Sequence, residues 1–352
     1  MKILKRMIAI TISIFLITTI LSSYNKESVM ASMKKRGPVE VSVFLTNNID
    51  DFLLGIRKSL EEIEEENKDK VHYTFYDTAK NQAMQNENIN KAINSGAELI
   101  LLNIINRGEA QSVIDRIKEA NIPVILFANE PVTLEPIKSY SKAVYLGGDS
   151  KAAGESQGKI ITDVWNKSKL FVDKNKDGKM EYLILHGKSD NQAAIGRTKY
   201  SIESIENSGI EMQQVGFEIC NWDEELAYNS TKKLFNKYGE LIEVIIANDD
   251  TMAIGAVKAL QESGYNKGDK LKTIPIVGVD LTLEAKEYIE KGYMLGSVIK
   301  SPRDQAEALY VIGMNLLENK NSVEGTKYKL DESGVAVRIP ETEIYYNNIF
   351  AN

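Results

Sequence analysis

From Val39 onward the chain alternates between two kinds of hydrophobic spacing. Val39–Leu45, Leu99–Leu102 and 123–127 are β-rich or apolar nearly throughout, whereas over 51–65 the apolar residues recur as Leu53, Ile56, Leu60 and Ile63. Continuous apolar runs predict strands buried on both faces, and the three-to-four spacing predicts helices with one apolar stripe. The first half therefore reads as strands at Val39–Leu45, 71–76, Leu99–Leu102 and 123–127, with helices over 51–65, 81–95 and 107–120. The pattern restarts with strands at 182–185, 211–218, Val244–Ala247 and 275–279, and helices over 194–208, 223–237, 251–263 and 283–291. Such alternation predicts two doubly wound parallel-sheet α/β lobes, and ligands in that architecture sit beyond the carboxyl ends of the strands.

Length agrees with two lobes, because single cores rarely grow past about 250–300 residues and this chain has 352. The net charge of −7 argues against nucleic acid as a partner, since phosphate-backbone binding needs clustered Lys and Arg. A single cysteine, Cys220, excludes an intramolecular disulfide, and two histidines leave little for imidazole chemistry or zinc. At the start, Lys2, Lys5 and Arg6 precede an apolar-plus-Thr/Ser run over 7–21. That run is shorter than the roughly 20 residues a membrane span needs and fits a secretory signal, with small-residue cleavage after Ala31. The expectation is a signal segment over 1–31 and an exported, extracytoplasmic chain.

Enzymatic motifs are sparse. Gly154-Glu155-Ser156-Gln157-Gly158 matches a nucleophile elbow, which needs a strand directly before the serine. Here the preceding strand ends near 147 and Ser156 falls inside a helix starting around 150. No P-loop or dinucleotide fingerprint occurs, so a non-enzyme is expected.

The most specific local signal is Asp173-Lys174-Asn175-Lys176-Asp177-Gly178-Lys179-Met180-Glu181. Asp173, Asn175, Asp177 and Glu181 place oxygen side chains at calcium-loop positions one, three, five and nine. Gly178 allows the turn, and Lys179 offers its carbonyl. The bidentate Glu expected at position twelve is replaced by Ile184, inside an apolar strand. A further carboxylate must come from elsewhere, and Glu243 supplies it if the strands at 182–185 and Val244–Ala247 are neighbours. A structural Ca2+ is expected there.

Asn48-Ile49-Asp50-Asp51-Phe52, this loop, Gly196-Arg197-Thr198, the run 243–253 and Pro275–Asp280 together resemble the glucose/galactose-binding proteins of the type I periplasmic binding fold, which serve ABC import. The resemblance covers nearly everything from Val39 to the C-terminus. It implies sugar contacts by Asp50, Phe52, Asn103, Arg197, Trp222 and Asp280, all retained. Phe52 and Trp222 would stack on the ring, the carboxylates would accept from hydroxyls, and Arg197 would donate two parallel bonds. Four positions depart. Asn191 replaces a His, Ala193 an Asp, Asp249 an Asn, and Lys300 a second Asn, which implies altered specificity. Lys300 is expected to pair with Asp249 or to meet an acidic group of the ligand.

Hinge closure is the expected mechanism, with three crossovers near 127, 299 and 335. The first lobe would then be 38–127 plus 299–335, and the second 128–298 plus 336–352. A monomer that delivers a monosaccharide to an ABC transporter permease is expected. Leu21-Ser22-Ser23-Tyr24 has no cysteine for lipid attachment, so the chain is either released or held by an uncleaved signal anchor. The latter admits a sensor that reports to a membrane histidine kinase. Sugar-responsive repressors share the fold but carry an N-terminal helix-turn-helix where a signal segment is expected here, so that reading is set aside.

Overall fold

The computed structural model describes residues 37–46, 51–342, 344–347 and 350. The expected signal segment, its cleavage site and Asp50 lie outside these residues.

The first sheet contains β1 (Val39–Leu45), β2 (Val71–Asp77), β3 (Leu99–Leu102), β4 (Val124–Phe127), β5 (Ala143–Gly148) and β11 (Ala336–Ile339), in the order β11-β5-β4-β3-β1-β2. All its pairings are parallel. The second sheet contains β6 (Met180–His186), β7 (Met212–Ile219), β8 (Val244–Ala247), β9 (Ile276–Asp280), β10 (Gly296–Ile299) and β12 (Ile344–Tyr346), in the order β12-β10-β9-β8-β6-β7. It is parallel except for β12, which runs antiparallel along the β10 edge. Two doubly wound lobes are therefore present as expected, with one edge strand reversed.

Helices cover both faces of each sheet. In the first lobe α1 (Asp51–Glu66) and α10 (Pro302–Leu317) pack on one face. On the other lie α2 (Gln82–Asn94), α3 (Ala110–Glu119) and the short α4 (Glu135–Lys138). In the second, α5 (Ser150–Val172) and α6 (Gln192–Asn207) cover one face. The opposite face carries α7 (Glu224–Tyr238), α8 (Asp250–Glu262) and α9 (Leu283–Glu290). Successive strand residues serve opposite cores: Val43 faces α1 and α10, while Phe44 faces α2 and α3. Each such side chain, when fully buried, contributes roughly 1.5–3 kcal/mol. The predicted stripe Leu53, Ile56, Leu60 and Ile63 is buried as one row of α1.

Two lobe boundaries need correction. The first sheet continues past 127 through β5, paired with β4 from Val124↔Ala143 to Phe127↔Leu146. β11 then pairs with β5, so the third crossover follows Ile339, not 335. The first crossover accordingly lies after Gly148, and the middle one, near Ile299, stands where expected. Apolar strands carry no mark of the sheet they join. Partnership is decided by ladder hydrogen bonds.

In both sheets the order reverses beside the first strand, between β1 and β3 and between β6 and β8. A doubly wound sheet opens its crevice at that switch point. The loops after β3, β6 and β8 carry Asn103, Gly187 and Asn248–Asp249, so the two crevices supply the walls of one interlobe cleft.

Candidate functional site

Arg197 is the centre of the second lobe's wall. It projects from α6 and is 4% exposed, with Nη1 donating to the Asn248 carbonyl at 2.7 Å and Nη2 to Glu341 Oε2 at 3.2 Å. Burial disfavours its charge, but Glu341, Asp280 and Asp249 reverse that effect and hold its pKa above the ordinary value. Both terminal nitrogens serve protein acceptors, and only the buried Nε lacks a partner among the described residues. A buried guanidinium needs compensation, and Glu341 provides it.

Glu341 was not among the sequence candidates. It follows β11 in a short polar stretch with no motif, and is 1% exposed with its Oε1 unpartnered. Gly148 makes room for it, since a Cβ there would stand 1.8 Å from Oε1. Asn248 was likewise missed as a positioning residue, although it stands beside Asp249. Its side-chain oxygen accepts from Gly187 N at 3.0 Å, its amide donates to Thr198 Oγ1 at 2.9 Å, and its carbonyl receives Arg197.

Lys300 lies at the middle crossover and touches both walls. Its Nζ is 3.4 Å from the ring centroid of Phe52 on α1 and 3.5 Å from Asp280 Oδ1 at the end of β9. Asp280 (φ 116°) and Leu281 (φ 53°) take left-handed backbone conformations that L-residues rarely adopt. A buried carboxyl holds this turn. Asp250 accepts from Thr282 N at 2.8 Å and from Ser297 Oγ at 2.7 Å, while Ser297 Oγ accepts from Leu281 N at 3.1 Å. Burial, then the charge of Asp280, pushes Asp250 well above the usual carboxylate range.

The remaining candidates stand at strand or helix ends. Asn103, 1% exposed, donates to the Phe127 carbonyl at 3.1 Å and keeps Oδ1 unpartnered. Asn191 caps α6 by accepting from Ala193 N and Ala194 N, and Asp249 caps α8 through Met252 N at 2.8 Å. Trp222, at φ 65°, lies flat against Gly187, where a Cβ would come within 2.3 Å of the indole. The structure thus links Phe52, Lys300, Asp280 and Arg197 around the cleft, with Asn191 beside them and Asn103 and Trp222 at its strand ends. A cavity of about 40 Å³ remains between Tyr145, Gln305, Asn191, Arg197, Lys300 and Glu341. Ser156 lies within α5 and donates to the Glu341 carbonyl at 3.3 Å, so the elbow-like motif has no strand before it.

The lobes also touch at the rim. Arg107 Nη1 of the first lobe donates to the Asp190 carbonyl at 2.6 Å and to Asp190 Oδ2 at 3.2 Å in the second.

The acidic loop precedes β6. Strands β6 and β8 are neighbours, with Glu243 N donating to the Glu181 carbonyl at 2.9 Å, so Glu243 stands beside the loop. Glu243 accepts from Lys174 N at 2.5 Å and Glu181 accepts from Asn175 Nδ2 at 3.1 Å. Asp177 Oδ1 accepts from Lys179 N at 2.9 Å. Gly178, at φ 87°, donates to Asp173 Oδ2 at 3.1 Å. Asp173 Oδ1 is buried without a partner among the described residues. Burial pushes Glu243 up to about 7 and raises Glu181. As placed, no three His, Cys, Asp or Glu side chains among the described residues stand close enough to hold an ion. The all-oxygen set, the orphaned Asp173 oxygen and the buried carboxylate pair nevertheless fit a hard divalent cation.

The family model described as periplasmic binding protein domain matches residues 41–321. The D-galactose/methyl-galactoside binding periplasmic protein MglB of Haemophilus influenzae is 33% identical over 303 residues, covering 85% of this chain and 87% of that protein. A putative rhizopine-binding protein of Rhizobium meliloti is 26% identical over 68% of this chain and 72% of its own length. Among solved structures, an Actinobacillus succinogenes ABC transporter solute-binding protein with bound D-allose superposes with a TM-score of 0.70 at 17% identity, covering 86% of this chain and 95% of that one. These matches and the two-lobed fold agree: the chain belongs to the periplasmic binding protein family, in the type I group that includes the glucose/galactose-binding proteins.

Proposed function

We propose that this protein is a non-enzymatic, extracytoplasmic receptor of the galactose/glucose type that delivers a monosaccharide to an ABC importer, with an altered specificity. The observation that carries the reading is a set of unpartnered polar atoms at the cleft. Asn103 Oδ1, Gln305 Oε1, Glu341 Oε1 and Arg197 Nε lack hydrogen-bond partners among the described residues, and Asp280 Oδ1 has Lys300 Nζ at 3.5 Å. Buried polar atoms are normally satisfied, so such a group asks for a ligand rich in hydroxyls. Phe52 and Trp222 provide the apolar faces on which a ring can stack. Contacts from both lobes to one ligand stabilise the closed form, which is how binding becomes a signal to the permease.

Calcium is part of the same proposal. Asp173, Asn175, Asp177, Glu181 and Glu243 would hold it with the Lys179 carbonyl. Its charge would offset the buried carboxylates Glu181 and Glu243 and tie the start of β6 to that of β8.

Isothermal titration with D-galactose, D-glucose, D-allose, D-ribose and myo-inositol tests the reading. Saturable binding of at least one supports it, and no binding by any of them overturns it. D-glucose binding as tight as that of relatives with the full set of pocket residues would overturn the altered specificity alone.

A further inference from the structure

The Lys300 ammonium occupies both features that a stacked sugar needs. It lies 3.4 Å over the face of Phe52 and 3.5 Å from Asp280 Oδ1, with its side chain 16% exposed. A pyranose cannot rest on that face while the ammonium does. The contact also joins the lobes, because Phe52 belongs to α1 and Asp280 to β9.

We infer that Lys300 is a specificity-determining, tethered competitor: the site takes a neutral, hydroxyl-rich ring able to replace the ammonium on both Phe52 and Asp280, and it rejects acidic sugars. The inference rests on the sugar-binding reading above. Its basis is the polarity of the unpartnered atoms. Asn103, Gln305 and Glu341 contribute three unpartnered acceptor oxygens and Asp280 a fourth that faces Lys300 at 3.5 Å, whereas the unpartnered donors are Arg197 Nε and, toward the rim, Arg107 Nη2. Hydroxyl groups donate to such oxygens. A ligand carboxylate donates nothing and would face Asp280 and Glu341, with Lys300 already placed beside Asp280. The lysine state is incompatible with stacking, so its population lowers apparent sugar affinity in proportion.

Titration of the exported protein and its Lys300→Asn and Lys300→Gln variants with D-galactose and D-galacturonate provides the test. Both substitutions should tighten D-galactose binding about tenfold or more, the order expected for removing a desolvated cation–π contact. D-galacturonate should bind the wild type more weakly than D-galactose. Small-angle scattering without sugar should show both variants more open than the wild type. Galactose affinity unchanged or weakened in both variants, with the wild type still binding sugar, overturns the inference but leaves the sugar reading intact. Tight galacturonate binding that is lost on substitution also overturns it and makes Lys300 an anion receptor. No binding of D-galactose, D-glucose, D-allose, D-ribose or myo-inositol by any of the three proteins overturns the reading as well.

Discussion

Arg197 and Glu341 meet at 3.2 Å with side chains only 4% and 1% exposed, one on a helix of the second lobe and the other just past the last strand of the first. Because the pair crosses from one chain segment to the other, it ties the third crossover to the cleft wall. Removing one partner of a buried pair leaves an uncompensated charge. Glu341→Ala should cost about 3–5 kcal/mol of stability by urea denaturation and abolish detectable sugar binding. A loss below about 1 kcal/mol would mean that water reaches Arg197 despite its burial.

Gly187 and Trp222 form a second dependence. A methyl group at 187 would come within 2.3 Å of the indole, so Gly187→Ala must displace the ring. Sugar affinity should fall at least tenfold while the melting temperature changes little. Trp222 is one of two tryptophans in the chain, so its displacement should also shift the emission spectrum. Unchanged affinity together with unchanged emission would remove Trp222 from the binding surface.

Calcium should stabilise the second lobe by mass action. At a thousandfold excess over its dissociation constant, the gain is about 4.1 kcal/mol. EDTA should therefore lower the melting temperature of the wild type, and calcium should restore it. Glu243→Gln should abolish this response. A melting temperature indifferent to chelation at low calcium would exclude a structural ion.

Asp250 gives a pH signature. Its folded-state pKa is raised, so its contribution to stability is complete below the unfolded-state value of about 3.9. That contribution is lost as pH rises from there through the folded-state value. Measured as the difference between Asp250→Asn and wild type, the variant should gain relative stability as pH rises from 5 to 8. The slope has a ceiling of about 1.4 kcal/mol per pH unit. A flat difference would show that Asp250 stays ionised, held by Thr282 N and Ser297 Oγ.

Much of the fold was legible because its strands are apolar on both faces and its helices carry one stripe. Leu53, Ile56, Leu60 and Ile63 sit where their spacing places them. The adjacency of β6 and β8, on which the choice of Glu243 as a further carboxylate depended, is found. The lobe boundaries were not legible. β5 follows β4 after only the short α4 and resembles any other buried strand, so nothing local tells it to remain in the first sheet. Glu341 was invisible for a related reason: its importance comes from Arg197, 144 residues away.

Local periodicity and side-chain chemistry thus determined from the sequence alone that there are two α/β lobes, an oxygen-rich loop at 173–181 and candidate residues at strand ends. Those properties depend on neighbours a few residues apart. Only the tertiary structure decided that Lys300 lies between Phe52 and Asp280, and that Arg197 is already engaged by Asn248 and Glu341. Charges and rings find partners across space through packing and desolvation, and a linear pattern carries no record of which partner wins.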